Sequence, residues 1–358
     1  RAPFQLSLTT ADFTIPEQPR FIYALPKPVQ EAFEVIRPSG TMRATLLISR
    51  NETDGQIDYE GLAKLVDAKC VLEAFPYPLT ECRGQISFDR DEVKIRSFSA
   101  KTSGDGHALV YGRIWPPGPT ANVDLVVTAV NIPFDETLFQ AFDPDTRPIF
   151  DALFHTESYN HLRQRGHFIS SHDFNAMDFR AGRIEDQLLQ LADDDPKRAE
   201  LNEELKTLDR LLKTPAFDLG GLATVNVHVT RTEGEGDRTR AAAEIKIQEA
   251  NIVYEEFPYP FHITEGIVRT QGTNITVEGF KLEGLAGGTG KIHGTVVERM
   301  RDNGEIGFKP EIFVAGYDLA INEMLYDALP AEQAEWMRKL HLTGMLNLAG
   351  QVWRDDRG

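Results

Sequence analysis

The sequence predicts a mainly β protein with short helices. Repeated curved antiparallel β-sheet units form an open groove, and an α-helical hairpin is inserted between two of them. Three observations carry this. One stretch of chain recurs at a fixed offset, a strand-like alternation occurs in three copies, and leucines spaced by threes and fours interrupt the pattern once.

In chain order, the first element is the tail of a preceding unit, residues 1–39. It holds an acid after a strand, Asp12, and then a short helical pattern with Phe33 and Ile36 between Leu25-Pro26 and Gly40. The same distance separates Leu329-Pro330 from Gly344, with Met337 and Leu340 between them. Proline at the start and glycine after the end are expected helix punctuation.

Gly40 to Arg50 is the first copy of the alternating strand, Gly221 to Arg231 the second and Gly344 to Arg354 the third. Alternate positions carry Met42, Ala44, Leu46 and Ile48 in the first copy, and Ala223, Val225, Val227 and Val229 in the second. The third has Leu346, Leu348, Gly350 and Val352. The intervening residues are mostly polar, such as Arg43 and Thr45 or Thr224 and Asn226. Period-two alternation of this kind is a strand with one apolar face.

Phe75-Pro76-Tyr77-Pro78 returns as Phe257-Pro258-Tyr259-Pro260, and an offset of 182 continues without a gap. Gly84 meets Gly266, Val93 meets Ile275, Ile95 meets Val277, Phe98 meets Phe280, Gly106 meets Gly288 and Gly112 meets Gly294. Shared turn glycines and shared apolar alternation mark one structural unit used more than once. The proline motif is expected to form the hairpin corner, where proline is tolerated because the chain leaves the hydrogen-bond ladder. Cys70 and Cys82 flank its first copy and are expected nearly opposite each other. A cross-strand disulfide and two unpaired buried thiols both remain open, and Ile252 and Thr264 in the second copy make a bridge inessential to the unit.

Each unit closes on a strand ending at an acid or amide, Asn131 or Asp318, and then an apolar hook, Leu138 with Phe142 or Leu325 with Leu329. Gly221 to Gly344 spans 123 residues and Gly40 to Gly221 spans 181, so the first unit carries an insertion of 58. Ile184, Leu188 and Leu191, then Leu201, Leu205, Leu208 and Leu212, are spaced for an αα-hairpin broken at Asp193-Asp194-Asp195-Pro196. The expected organisation is therefore 1–39, a first β-groove unit at 40–142, a mainly helical insertion at 143–215, a second unit at 216–342, and the start of a third at 343–358. A piece of a longer array is the expectation.

Composition limits the chemistry. The chain is 41% hydrophobic and 26% charged, which is globular, and its net charge of −17 argues against a nucleic-acid partner. No apolar run approaches the roughly 18 residues of a membrane helix. Gly284 to Lys291 superficially resembles a phosphate loop, but Ile292 stands where Ser or Thr is required, so a turn is expected. His155, His161, His167 and His172 lack zinc-site spacing and are expected to be solvated. No catalytic residue, metal or cofactor is expected. What recurs is a face, not a catalytic constellation.

An apolar sheet face must be covered. Either it is ordinary core in a structural or outer-membrane assembly module, or it lines a groove for acyl chains, where each CH2 removed from water contributes about 0.8 kcal/mol. The residues expected to line a groove are Met42, Ala44, Leu46, Ile48, Val93, Ile95, Leu125, Val127, Val225, Val227, Val229, Ile275, Val277, Ile312 and Val314.

The proline motif, the Gly-x-Ile/Val strands, the glycine-rich turn, and the strand-to-helix segments ending at Phe142 and Leu329 together resemble the C-terminal region of AsmA-like proteins. These group with the TamB and YhdP relatives among bridge-like, repeating β-groove lipid-transfer proteins. The resemblance covers about 40–142 and 216–342. It implies a periplasmic groove, anchored in the inner membrane by a segment outside this chain, that carries phospholipid acyl chains between the inner and outer membranes. The 143–215 insertion departs from the repeat. It is the expected place for an envelope protein partner, and it puts the continuity of the groove in question.

Overall fold

The computed structural model describes residues 3–15, 22–23, 30, 33, 37–50, 56–71, 76–117, 121–141, 147–192, 194–232, 240–271, 274–300 and 306–353. Leu25, Pro26, Ile36, Phe75, Phe142, Asp193 and Arg354, used in the repeat alignment, lie outside them.

The alternating segments become one 15-stranded open, curved antiparallel sheet. It begins with β1 (Phe4–Thr9) and the short β2 (Phe13–Thr14), both paired to β3 (Ser39–Arg50). A meander follows through β4 (Ile57–Val71), β5 (Pro78–Asp89), β6 (Val93–Lys101), β7 (His107–Trp115) and β8 (Asn122–Pro133). The second unit adds β9 (Gly220–Arg231), β10 (Arg240–Tyr254), β11 (Phe257–Gln271), β12 (Asn274–Gly284), β13 (Thr289–Met300) and β14 (Ile306–Ala320). Then comes β15 (Met345–Trp353).

The insertion does not interrupt this sheet. β8 pairs directly with β9, Val127 opposite Val227 and Ala129 opposite Val225, so strands almost a hundred residues apart in sequence are neighbours. The apolar pattern sets that register, because a slip by one residue would turn both strands' apolar sets to the opposite face.

Bulges recur at matching places. The register shifts between Ile95 and Phe98 and again between Val277 and Phe280, and likewise between Ala129 and Ile132 and between Gly316 and Leu319. Each extra residue bends and twists its strand, which is how a long sheet curves. Asn131 and Asp318 sit in these last bulges with φ of 53° and 54°, a left-handed conformation that Asn and Asp tolerate better than most residues. Gly112 has φ 146°, and a Cβ there would lie 2.1 Å from the Asp124 carbonyl oxygen. Gly112→Ala therefore pushes β7 off β8, and we expect a loss of about 1–3 kcal/mol, read as a lower denaturation midpoint.

Short helices close one end of the apolar face. Asp135 Oδ1 accepts from the Leu138 amide at 2.9 Å and starts α1 (Glu136–Ala141), which buries Leu138 and Ala141. Its counterpart α6 (Glu323–Ala328) is capped by Asn322 Oδ1 on the Leu325 amide at 3.0 Å and buries Met324, Leu325 and Ala328. The side-chain oxygen satisfies an amide that the first helical turn leaves orphaned. After α6 comes α7 (Ala331–Lys339), which buries Met337, while Leu340 falls on its C-cap and is half exposed.

The insertion folds as α2 (Arg147–Leu153), α3 (Thr156–Gln164), α4 (Ser171–Gln190) and α5 (Lys197–Leu211). The αα-hairpin is α4 against α5, with Ile184 fully buried and a bidentate Arg180–Glu204 pair across it. α2 and α3 are the parts that reach the sheet. Phe154 bridges to Val253, and Leu162, Phe168, Phe217 and Val253 form a small core of their own. Asp327 on α6 clamps the insertion, its Oδ2 2.7 Å from Arg165 Nε and 2.6 Å from His167 Nε2, with its side chain 10% exposed. His167 is thus a hydrogen-bond partner of Asp327 and His155 caps α3, which corrects the expectation of solvated histidines for these two, while His161 and His172 are exposed as expected. Removing Asp327 leaves two donors unpaired. Asp327→Ala is expected to cost about 1–3 kcal/mol and to speed amide exchange in residues 147–170 more than in β3–β8.

The first copy of the proline motif places Pro76 and Tyr77 between β4 and β5, outside either strand, as a corner should be, but the second copy differs from expectation. In the second copy the turn is Glu255-Glu256, and Phe257-Pro258-Tyr259-Pro260 opens β11. Tyr254 pairs with Phe257 and Val253 with Pro260, which leaves Pro258 and Tyr259 in a bulge where no strand partner is needed. The tyrosine is the working residue. Tyr77 is 4% exposed, with its hydroxyl 2.7 Å from Ser103 Oγ, and Ser103 reaches Asp135 at 2.9 Å. Tyr259 is fully buried and donates to the Gly287 carbonyl at 3.4 Å. In both copies an aromatic ties the strand start to the glycine-rich turn, and Gly284 to Gly288 is indeed such a turn.

Candidate functional site

Antiparallel partners point their side chains to the same side of a sheet, so the pairing registers place each residue on a face. One row runs Leu8, Leu46, Gly61, Phe88, Val93, Ile114, Val123. A second runs Ala44, Ala63, Ile86, Ile95, Gly112, Leu125, Val229. A third, from Met42 through Leu65, Gly84, Phe98 and Val110, reaches Val127, Val227, Ala243, Thr270 and Ile275. Val225 leads through Ile245 and Val268 to Val277, Gly294 and Ile312, while Ile292 faces Val314. Ile48 lies opposite Leu6 and Tyr59. All fifteen residues expected to line a groove therefore share one face of one sheet.

Coverage of that face is graded. Near α1, Met42, Leu65, Phe98 and Ala129 are buried with Leu138 in one cluster. Two further clusters lie toward α2 and α6, around Ile247 with Ile263 and around Tyr259 with Leu325. Leu46, Ile48, Leu125, Val127, Val227, Val229, Ile275, Val277, Ile312 and Val314 belong to none of these and are only half-buried. On the edge strand of the same face, Leu6 and Leu8 are 47% and 48% exposed. Among the described residues all strands belong to one sheet, so no second sheet covers the face, and β1 does not pair with β15 to close it.

The opposite face is wet. It carries Arg43 with Asp12, Lys101 with Glu81, His228 with Asp124, and Arg269 between Glu244 and Glu278. A depression of about 450 Å³ at the bulges of β4 to β6 is lined by Lys64, Leu65, Val66, Arg83, Gly84, Gln85, Ser97 and Ser99. Cys70 and Cys82 are fully buried free thiols in contact across β4 and β5. The hydrogen bond to Cys82, with burial, holds the Cys70 thiol well above its ordinary pKa.

Two charged residues also lie on the apolar face, beyond the lining read from the alternation. Arg50 continues the series 42, 44, 46, 48 and pairs with Phe4 and Ile57, and Arg231 continues 223 to 229 and pairs with Val123. The signal was present in the parity of the strand, but a terminal arginine reads equally well as the end of a strand. Among the described residues no helix is long and apolar enough to cross a membrane. Comparison with protein-family models, curated proteins and solved structures finds no match.

Proposed function

We propose that this chain is a segment of a periplasmic conduit whose apolar sheet face carries the acyl chains of phospholipid between the inner and outer membranes. The observation that carries the proposal is the row-by-row continuity of an apolar, half-buried face across both units of an open sheet. Ordinary core would be covered along its length, whereas here the helices cover one end. A flexible hydrocarbon suits such a lining, because sliding along it exchanges one set of methyl contacts for another of similar strength. No side chain is assigned a catalytic role, the membranes are reached through segments outside this chain, and the projecting α4–α5 hairpin is where an envelope partner would dock.

The test is the lipid content of the purified chain. Extraction and mass spectrometry are expected to find diacyl phospholipid in near-stoichiometric amount, and a lipid-stripped sample is expected to regain it from vesicles. A chain that carries none and takes up none leaves the sheet face as plain core in a structural or assembly module.

A further inference from the structure

Among the paired residues whose side chains are described, the apolar face carries two charges, Arg50 and Arg231. They occupy the same position in their units, the last residue of β3 and of β9, at the end of the face away from α1 and α6. Both are half-buried. The Arg50 guanidinium stacks over the Phe4 ring, 5.0 Å from its centroid, and its Nε is buried without a hydrogen-bond partner. Arg231 donates Nε to the Ala121 carbonyl at 2.7 Å, which leaves its two terminal nitrogens without a side-chain partner among the described residues. Among the described residues neither has a carboxylate within salt-bridge distance, although acidic residues outnumber basic ones 55 to 38 in this chain. A cation is costly on an apolar wall unless something anionic meets it.

We propose that Arg50 and Arg231 are headgroup positions, one per unit. Each binds the phosphate of a diacyl phospholipid whose chains lie on the apolar residues of the same strands. The guanidinium fork matches a phosphate diester oxygen pair, and a partly desolvated setting strengthens such bonds. Six strand spacings separate β3 from β9, about 29 Å along the sheet, so each unit would hold its own headgroup. This rests on the acyl-groove proposal and adds to it a preference for anionic, phosphate-bearing lipid.

The experiment measures uptake of two probes with identical labelled acyl chains, phosphatidylglycerol and diacylglycerol, from phosphatidylcholine vesicles by the lipid-stripped full chain. The wild type is expected to favour phosphatidylglycerol. Arg50→Gln with Arg231→Gln is expected to lose on the order of tenfold in phosphatidylglycerol affinity while binding diacylglycerol as before. The Lys double variant should recover part of the loss, and far-UV circular dichroism checks folding of each variant. Unchanged preference in a folded Gln variant, with both probes still bound, overturns the headgroup positions and leaves the groove standing. Uptake of neither probe by the wild type overturns both.

Discussion

Tyr259→Ala is expected to be the most damaging single substitution in the second unit, at about 3–5 kcal/mol. The side chain is fully buried between Phe257 and Phe261, with ring centroids 6.0 and 5.0 Å away, and the cluster also holds Leu319 and Leu325. Truncation removes the ring that joins β11, the Gly284–Gly288 turn and α6. Tyr259→Phe keeps the ring and loses a long 3.4 Å hydrogen bond, so it should cost under about 1 kcal/mol. Burial also raises the Tyr259 phenol above its ordinary pKa of 10. The folded state therefore holds that proton longer than the unfolded chain does, and stability falls as pH rises above 10. Denaturation midpoints at neutral and alkaline pH check both parts, and the Phe variant should lose less stability in alkali than the wild type.

Val227→Asp is expected to abolish acyl binding at the junction of the units while leaving the fold nearly intact. Val227 is half-buried, outside every helix-covered cluster, and directly opposite Val127 across the β8–β9 seam. With the groove empty, water can reach a carboxylate there, so the folding cost should stay near 1 kcal/mol or below. With an acyl chain over it, that carboxylate must be desolvated without a partner, at a cost of several kcal/mol. Lipid uptake should fall by at least an order of magnitude on that basis. Asn226→Asp, on the polar face one residue away, should leave uptake unchanged. Equal uptake by Val227→Asp and the wild type would place the lipid elsewhere.

The sheet was legible because its information is local and repeated. Alternation in Met42 to Ile48 and Val225 to Val229 defines a face without knowledge of any partner, and two copies of a spacing repeat one strand order. The leucine spacing of 184–212 likewise carried the helical hairpin. What could not be read depends on distant residues or on a single bulge. The Asp327 clamp joins residues 160 apart in sequence, and nothing near His167 marks it as a carboxylate's hydrogen-bond partner. The second copy of the proline motif looked like a corner, as the first is, because two prolines normally lie outside a ladder. The bulge at Val253 and Tyr254 is what lets them open a strand instead. Continuity of the sheet past the insertion was equally invisible, since it required β8 and β9 to meet. Arg50 and Arg231 were in plain view as strand-terminal residues, but which face they occupy follows only from the registers of β1, β3, β8 and β9.

Site-specific photo-crosslinking in cells tests the central claim most directly. A photoreactive residue placed in turn at Leu46, Ile95 and Val227 on the apolar face is compared with one at Thr45, Lys94 and Asn226 on the polar face. Phospholipid adducts at the first three and not at the second three are the expected result. Silence at all six, or adducts on both faces alike, contradicts an acyl groove on this sheet.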